Sequence, residues 1–324
     1  MHIDLAIPRD KPFDIVGVGI NVVDYLFQVP RFPEPDTKSD ALAVTTQGGG
    51  LTATAMVACA RLGLRTRYIG KFGSDEIGRL AREMLLGEDL DLGGSVQAAD
   101  APHRLCVVLV EAGTGHRTIV RHRDSRIWLQ PQELSREAVC AGRLLHLDGY
   151  EGAAALQAAR WAREAGIPVS VDAEDSTERR EELFRLTDIL IVSNRFGQEM
   201  TGKASVAEIL CGLASLGPSC VGVTMGAKGS ALLHRGNLVE APGFSVDVVD
   251  TTGAGDVFHG AFLYSLLQGW TAEHILFFAN AVSALKCTRL GGRAGIPRAM
   301  EVRAFLGLRG QAGFLGSSGK ERTL

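Results

Sequence analysis

The chain has 324 residues, 46% of them hydrophobic, and a formal net charge of −3. That is enough for one large α/β domain with an inserted piece or for two modest domains. The mixed charges lack the clustered basic face that nucleic acid demands, so small ligands are the expected partners. Cys59, Cys106, Cys140, Cys211, Cys220 and Cys287 stand singly, with no C-x-x-C pair and no histidines at zinc spacing, which reads as buried reduced thiols. No run reaches the roughly 18 apolar residues of a membrane span. Met1–Pro8 lacks a basic flank and a long apolar core, so a cytoplasmic protein without a membrane partner is expected.

In chain order, Phe13 to Ile20 reads as a buried strand and Leu51 to Leu62 as a helix of small residues ending at Gly63. A strand over Thr66–Phe72 and a helix over Glu76–Leu86 follow. Farther on come a strand at Arg143–Leu147, a helix at Ala153–Ala165, and strands at Pro168–Val171 and Ile189–Val192. A helix at Val206–Leu216 and a strand at Cys220–Thr224 continue the alternation, which predicts βαβ units around a mainly parallel sheet with helices on both faces. Two stretches break that rhythm. Asp24–Val29 with Ala41–Thr46, and Leu105–Val110 with His116–Arg121, read as strand pairs forming either a small separate sheet over the domain or edge hairpins of the main one. Residues 1–310 are thus expected to form one domain with lid strands near 24–47 and 104–122. The Gly/Ser-bearing end, residues 311–324, is expected to be a flexible tail.

Gly17-Val18-Gly19 lacks the third glycine of a dinucleotide fingerprint, and Pro30 soon interrupts any helix. Asn21 and Asp24, just past that strand, suit either the vicinal hydroxyls of a sugar or a turn with side-chain hydrogen bonds. Gly48-Gly49-Gly50 opens the small-residue helix and permits close backbone approach. Thr224, Gly226 and Gly229 form a polar turn between two strands, and Asn280 lies on an apolar helix where it either faces a purine or caps a neighbouring element. The most informative stretch is Asp250-Thr251-Thr252-Gly253-Ala254-Gly255-Asp256. Phe244–Val249 before it alternates like a strand end, and Val257, Phe258, Ala261 and Phe262 after it recur at helical spacing. Gly253, Ala254 and Gly255 therefore sit at a helix N-terminus, whose unpaired N–H groups bind anions. Asp256 beside them is placed to accept a proton from an attacking hydroxyl.

These residues resemble the PfkB carbohydrate kinases of ribokinase-like fold. The segment from Asp250 to Phe262 is similar to that family's C-terminal signature; Gly49-Gly50, the Ala-rich helix and Ile69–Gly78 are similar to the N-terminal one. The resemblance implies a doubly wound α/β domain with a β-sheet lid that uses ATP and Mg2+ to phosphorylate a hydroxymethyl group. It further implies Asp256 as base, Gly253, Ala254 and Gly255 as anion hole, and Asp24, Gly49 and Gly50 at the acceptor. Asn194, Thr224, Gly226, Gly229 and Asn280 would serve the nucleotide, and a K+ loop would match Asp250, Thr252 and the 288–295 turn. A lid-to-lid homodimer occurs in several relatives. Two departures stand out. The family's N-x-x-E motif reads Asn194-Arg195-Phe196-Gly197, with Glu199 two residues beyond the expected acid, and Thr54 stands where ribokinases carry an asparagine. His116–Val120 looks somewhat like ketohexokinases, which leans toward a fructose-like acceptor.

The expected function is an ATP-dependent sugar kinase. The alternatives are a nucleoside kinase, with Tyr25 and Phe27 stacking on a base, and a sugar-binding regulatory protein without catalysis. Arg104, Arg121 and Arg123, at the ends of the second lid pair, either project into the acceptor site and select an anionic sugar or stay solvated at the lid edge.

Overall fold

The computed structural model describes residues 1–174 and 179–310, so the expected tail at 311–324 lies outside the described residues. The chain runs β1 (Phe13–Val18), β2 (Val22–Val29), β3 (Ala43–Gly49), α1 (Leu51–Arg61), β4 (Thr66–Ile69), β5 (Lys71–Phe72), α2 (Glu76–Leu86), β6 (Val96–Gln97), β7 (Leu105–Glu111) and β8 (Arg117–His122). It continues through α3 (Arg136–Val139), β9 (Gly142–Leu147), α4 (Gly152–Glu164), β10 (Val169–Ala173), α5 (Arg180–Arg185), β11 (Ile189–Ser193), α6 (Asn194–Thr201), α7 (Val206–Ala214) and β12 (Cys220–Thr224). The hairpin β13 (Ser230–His234) and β14 (Asn237–Ala241) precedes α8 (Ala254–Leu267), α9 (Ala272–Lys286) and α10 (Ala299–Gly307).

Eight strands form the central sheet in the order β14-β13-β12-β11-β10-β9-β1-β4. The six from β4 to β12 are parallel, and the antiparallel hairpin β13–β14 ends one edge. Because successive strand side chains point to opposite faces, Ile15, Leu144, Ile189 and Ile191 join the core shared with α1, α8 and α9. Val16, Leu145, Leu190 and Val192 join the other core, shared with α4 and α7. The small residues of α1 let it approach α8 closely: a Cβ added at Gly260 would come within 2.6 Å of both the Ala55 carbonyl and the Ala58 methyl.

The two irregular stretches form their own four-stranded sheet, order β3-β2-β7-β8, and not edge hairpins of the main sheet. Its β2–β3 and β7–β8 pairs are antiparallel and its central β2–β7 pair is parallel.

Two expected strands differ from the observed backbone. Thr66–Phe72 breaks at Gly70 into β4, on the central sheet, and β5, which pairs with β6. Phe244–Val249 is not a strand. Phe244 packs against Phe277 and Phe305, while the Val249 and Asp250 N–H groups donate to the Cys287 carbonyl at 2.8 and 3.2 Å, so this segment is held by helix ends and not by a strand neighbour.

Candidate active site

The lid covers a cavity of about 140 Å³ at the carboxyl ends of the parallel strands, where α/β folds place their ligands. Asp256 and Gly253 line it from one side, Asp24, Gly49, Gly50 and Thr54 from another. Asp256 is the third residue of α8, whose N-cap Gly253 adopts the left-handed φ of 75°. A Cβ there would also come within 3.0 Å of the Gly292 carbonyl, so glycine is required on both counts. At Gly255, by contrast, a Cβ would meet nothing within 4 Å, which leaves open space against the helix end. The Ala254 N–H donates to Thr251 O at 3.2 Å. The remaining first-turn N–H groups have no acceptor within the helix and give its positive end to the cavity.

Burial raises the Asp256 carboxyl well above its ordinary range, reinforced by Asp172 and Glu174, while Arg117 opposes the shift. Such a group is a stronger proton acceptor than a solvated carboxylate. Arg117 reaches across from β8 to donate to Thr251 Oγ1 at 3.0 Å, so the lid touches the loop that opens α8. Asp24 is raised to about 6 by burial, against the pull of Arg293 and a hydrogen bond from Cys106. Beneath the cavity Asp148 accepts from Ile20 N (2.7 Å), Thr52 Oγ1 (2.9 Å) and Tyr150 N (3.0 Å). One buried carboxylate thus ties the ends of β1 and β9 to the start of α1.

Arg293 organises the acceptor side and no local motif announced it. Its guanidinium donates to Asn21 Oδ1 (3.0 Å), Thr54 Oγ1 (3.3 Å) and the Gly49 carbonyl. Asn21, expected at the acceptor, is fully buried, lies outside the cavity lining and accepts from Arg293. Arg104 is 2% exposed, not solvated at a lid edge; it donates to Ile127 O at 3.1 Å and to Glu151 Oε1 at 2.7 Å. Tyr25 and Phe27 alternate with Asp24 along β2 and face away from the cavity. Its aromatic walls are Trp128 and Tyr150 instead.

The expected nucleotide residues lie outside this cavity, along the same sheet edge. Thr224 ends β12, Gly226 opens an exposed turn, and Gly229 takes a φ of 99° where a Cβ would strike the Ala241 carbonyl. Asn280 uses its amide on Ala241 O and Pro242 O, both at 3.1 Å, and thereby fixes the strand exit below that turn. Asn194 begins α6 with a buried Oδ1 that has no hydrogen-bond partner, an acceptor suited to a magnesium-bound water. Glu199 does not join it: the side chain is 58% exposed and paired with Arg195 Nε at 2.9 Å. Among the described residues no three acidic, histidine or cysteine side chains cluster as metal ligands.

The K+ loop does not fit a monovalent cation. Asp250 Oδ1 accepts from the Thr252 N–H (2.8 Å) and hydroxyl (2.7 Å), and Oδ2 accepts from Gly291 N (2.7 Å). The fully buried Lys286 places its ammonium 2.9 Å from the Asp250 carbonyl. Both carboxylate oxygens already accept hydrogen bonds, and a side chain already supplies positive charge beside the loop.

A doubly wound sheet, a detached β-lid and an aspartate at a glycine-opened helix end beneath that lid define the ribokinase-like fold. The chain belongs to the pfkB family of carbohydrate kinases, whose model matches residues 13–299, and it is a phosphotransferase with an alcohol group as acceptor. It is 26% identical to a nucleoside kinase of Methanothermobacter thermautotrophicus, over 88% of this chain and 92% of that protein. It is 30% identical to an ATP-dependent ribose-1-phosphate kinase of Halopiger xanaduensis, over 87% and 94%. The structure of Arabidopsis thaliana ribokinase complexed with ribose and ATP superimposes with a TM-score of 0.80 at 27% identity, covering 91% of this chain and 98% of that one. Among the described residues no helix is long and apolar enough to cross a membrane.

Proposed function

We propose that this protein transfers the γ-phosphoryl group of ATP to a hydroxymethyl group of a sugar held under the lid. The observation that carries this reading is Asp256, a buried carboxylate in the first turn of α8 that lines the lid-covered cavity. Asp256 takes the proton of the attacking hydroxyl, and the first-turn N–H groups of α8 with Gly253 and Gly255 meet the charge that develops on the transferred group. Arg117, bonded to Thr251 beside that turn, adds positive charge at the same place. Asn194, with its partnerless Oδ1, would help hold a magnesium ion brought by the nucleotide, and that ion would supply charge neutralisation of the phosphates. Thr224, Gly226 and Gly229 offer the nucleotide a turn at the sheet edge. Closing the lid keeps water from competing with the acceptor.

A nucleoside acceptor is the second reading, favoured by the Trp128 and Tyr150 walls. Guanidinium groups already lie over both rings, Arg104 at 5.3 Å from the Trp128 centroid and Arg123 at 5.1 Å from that of Tyr150, which leaves less face for a base and favours a sugar. Retention of Asp256 in the cavity favours catalysis over a sugar-binding regulator. A fructose-like sugar rests on the His116–Val120 resemblance alone. The protein works in the cytoplasm as a pair of copies joined through the outer lid face, where Val44, Val107 and Val120 are exposed.

The experiment is Asp256→Asn with a coupled assay over sugars, phosphosugars and nucleosides. Turnover falls by at least about a hundredfold while nucleotide and acceptor affinities stay within a few-fold. Wild-type turnover in the variant would remove Asp256 from the base role.

A further inference from the structure

Resting on that kinase reading, the core behind Asp256 carries a second part of the chemistry. Strand side chains alternate, so the residues of β9 and β10 that face α8 are Leu144 and His146, with Asp148 just past the strand, and Ser170 and Asp172, with Glu174 just past. His146 lies in register with Ser170, and its Nδ1 is 3.3 Å from the Ser170 hydroxyl oxygen. A polar stripe two strands wide thus runs through the α8 side of the core and reaches the cavity at Glu174.

Helix α8 answers that stripe with two residues one turn apart. Asp256 and His259, at i and i+3, share a face of the helix. Asp256 and Glu174 both line the cavity, and His259, one turn deeper, places its Nε2 3.2 Å from Asp172 Oδ1. Strand and helix therefore meet at two levels, Glu174 and Asp256 at the cavity floor and Asp172 with His259 below it. Asp172 is 4% exposed and His259 2%, and neither lines the cavity. An ionised carboxylate only accepts, so His259 Nε2 carries the hydrogen. Among the described residues His259 Nδ1 has no hydrogen-bond partner, which leaves the Asp172 bond to orient the ring. His146 stands against that ring at 5.4 Å between centroids; burial, with His259 beside it, pushes its pKa down to about 3, so it packs there uncharged.

A buried carboxylate keeps its charge only when a donor bonds to it, and His259 supplies that donor to Asp172. A like charge nearby then makes Asp256 hold a proton more tightly. Among the described residues Asp172 is the charge that acts most strongly on Asp256 in this sense. Glu174 and Asp148 add to it, Arg117 opposes it, and Asp256 in turn acts on Lys286 and Arg293.

We propose that Asp172 and His259 are positioning residues for the phosphoryl transfer: the imidazole holds Asp172 as a buried anion behind Asp256, and that anion sets how strongly Asp256 takes the proton of the attacking hydroxyl.

The test follows the Asp256 carboxyl directly, by carbon NMR of protein made with carboxyl-labelled aspartate, the resonance being assigned by its loss in Asp256→Asn. Asp172→Asn, of the same shape but uncharged, moves the Asp256 titration to lower pH by at least about one unit, the scale of a neighbouring like charge. His259→Gln keeps an N–H donor to Asp172, and the titration stays where it is in wild type. His259→Phe keeps a ring without the donor, and the titration falls as in Asp172→Asn. In the coupled assay, with MgATP and the acceptor that wild type uses best, the acid limb of kcat/KM for Asp172→Asn moves down with the titration. Its plateau kcat falls several-fold, because a weaker base takes the proton less readily, while both KM values stay within about twofold.

An Asp256 titration that is the same in wild type and Asp172→Asn overturns the proposal, and that comparison holds even where His259→Phe fails to fold. A titration that rises in His259→Gln also overturns it, because the ring is then a cation that cancels Asp172. A titration that shifts while the acid limb and kcat stay put overturns the role in transfer. If the titration shifts as expected but no acceptor is ever phosphorylated, the kinase reading falls and the hold of Asp172 and His259 on Asp256 stands.

Discussion

Lys286 keeps an ammonium group fully buried, where desolvation pulls its pKa below the ordinary lysine value and Asp250 pulls it back up. Removing that charge while Asp250 stays behind leaves a buried carboxylate uncompensated, at a cost of about 3 kcal/mol. Lys286→Ala should therefore lower Tm markedly and regain part of the loss in KCl but not in LiCl at matched ionic strength, because the vacated space beside the Asp250 carbonyl accepts the larger ion. Wild-type Tm and turnover should be indifferent to that exchange; a wild-type enzyme activated specifically by K+ would refute the assignment. The contrast between Lys286 and Asp256 also says what one sequence can disclose. Asp256 was legible because its partners, the glycine turn and the helix start, are its chain neighbours. Lys286, Arg293, Asp148 and Glu151 were not, since the atoms that give them meaning come from strands and loops far away in the chain, as Arg293 with Thr54 and Gly49 illustrates.

Helix α6 shows how an element can carry one half of a motif and discard the other. Asn194, at its first position, turns a partnerless Oδ1 inward, while Glu199, five residues on, has rotated to the solvent side and pairs with Arg195 one turn before it. Both members of that pair are exposed and contribute little. Glu199→Gln should leave Tm and the magnesium titration of turnover unchanged, whereas Asn194→Ala should raise the KM for MgATP several-fold; a shifted magnesium optimum in Glu199→Gln would return that residue to the metal. Most elements were legible from periodicity, because the central strands are buried on both faces and helices such as α2 and α7 on one, while α1, α8 and α9 are buried nearly all round. The failures have local causes. Gly70 lets the seven-residue stretch Thr66–Phe72 bend onto two sheets, and Phe244–Val249 has strand-like alternation but sits between aromatic side chains and a helix C-terminus, where no strand offers a ladder.

At the scale of the whole molecule the lid is two-sided, with arginines toward the cavity and Val44, Val107 and Val120 toward the outside. If that outer face pairs two copies, sedimentation at micromolar concentration gives twice the chain mass for wild type and the single-chain mass for Val120→Glu, since a carboxylate cannot be buried there unpaired. A wild type of single-chain mass at every concentration would dismiss the pairing. The two helix-free strand pairs marked where the lid lies but left a separate sheet and edge hairpins both open, and which side of it faces the cavity depended on register and not on composition. Arg293 joins Asn21 across 272 residues of sequence, and the two are needed together before the acceptor wall exists. During synthesis at roughly 5–20 residues per second, the early strands wait on the order of tens of seconds for that arginine to be made. A sugar can thus protect the finished enzyme against unfolding or proteolysis, but it cannot chaperone the growing chain on the ribosome.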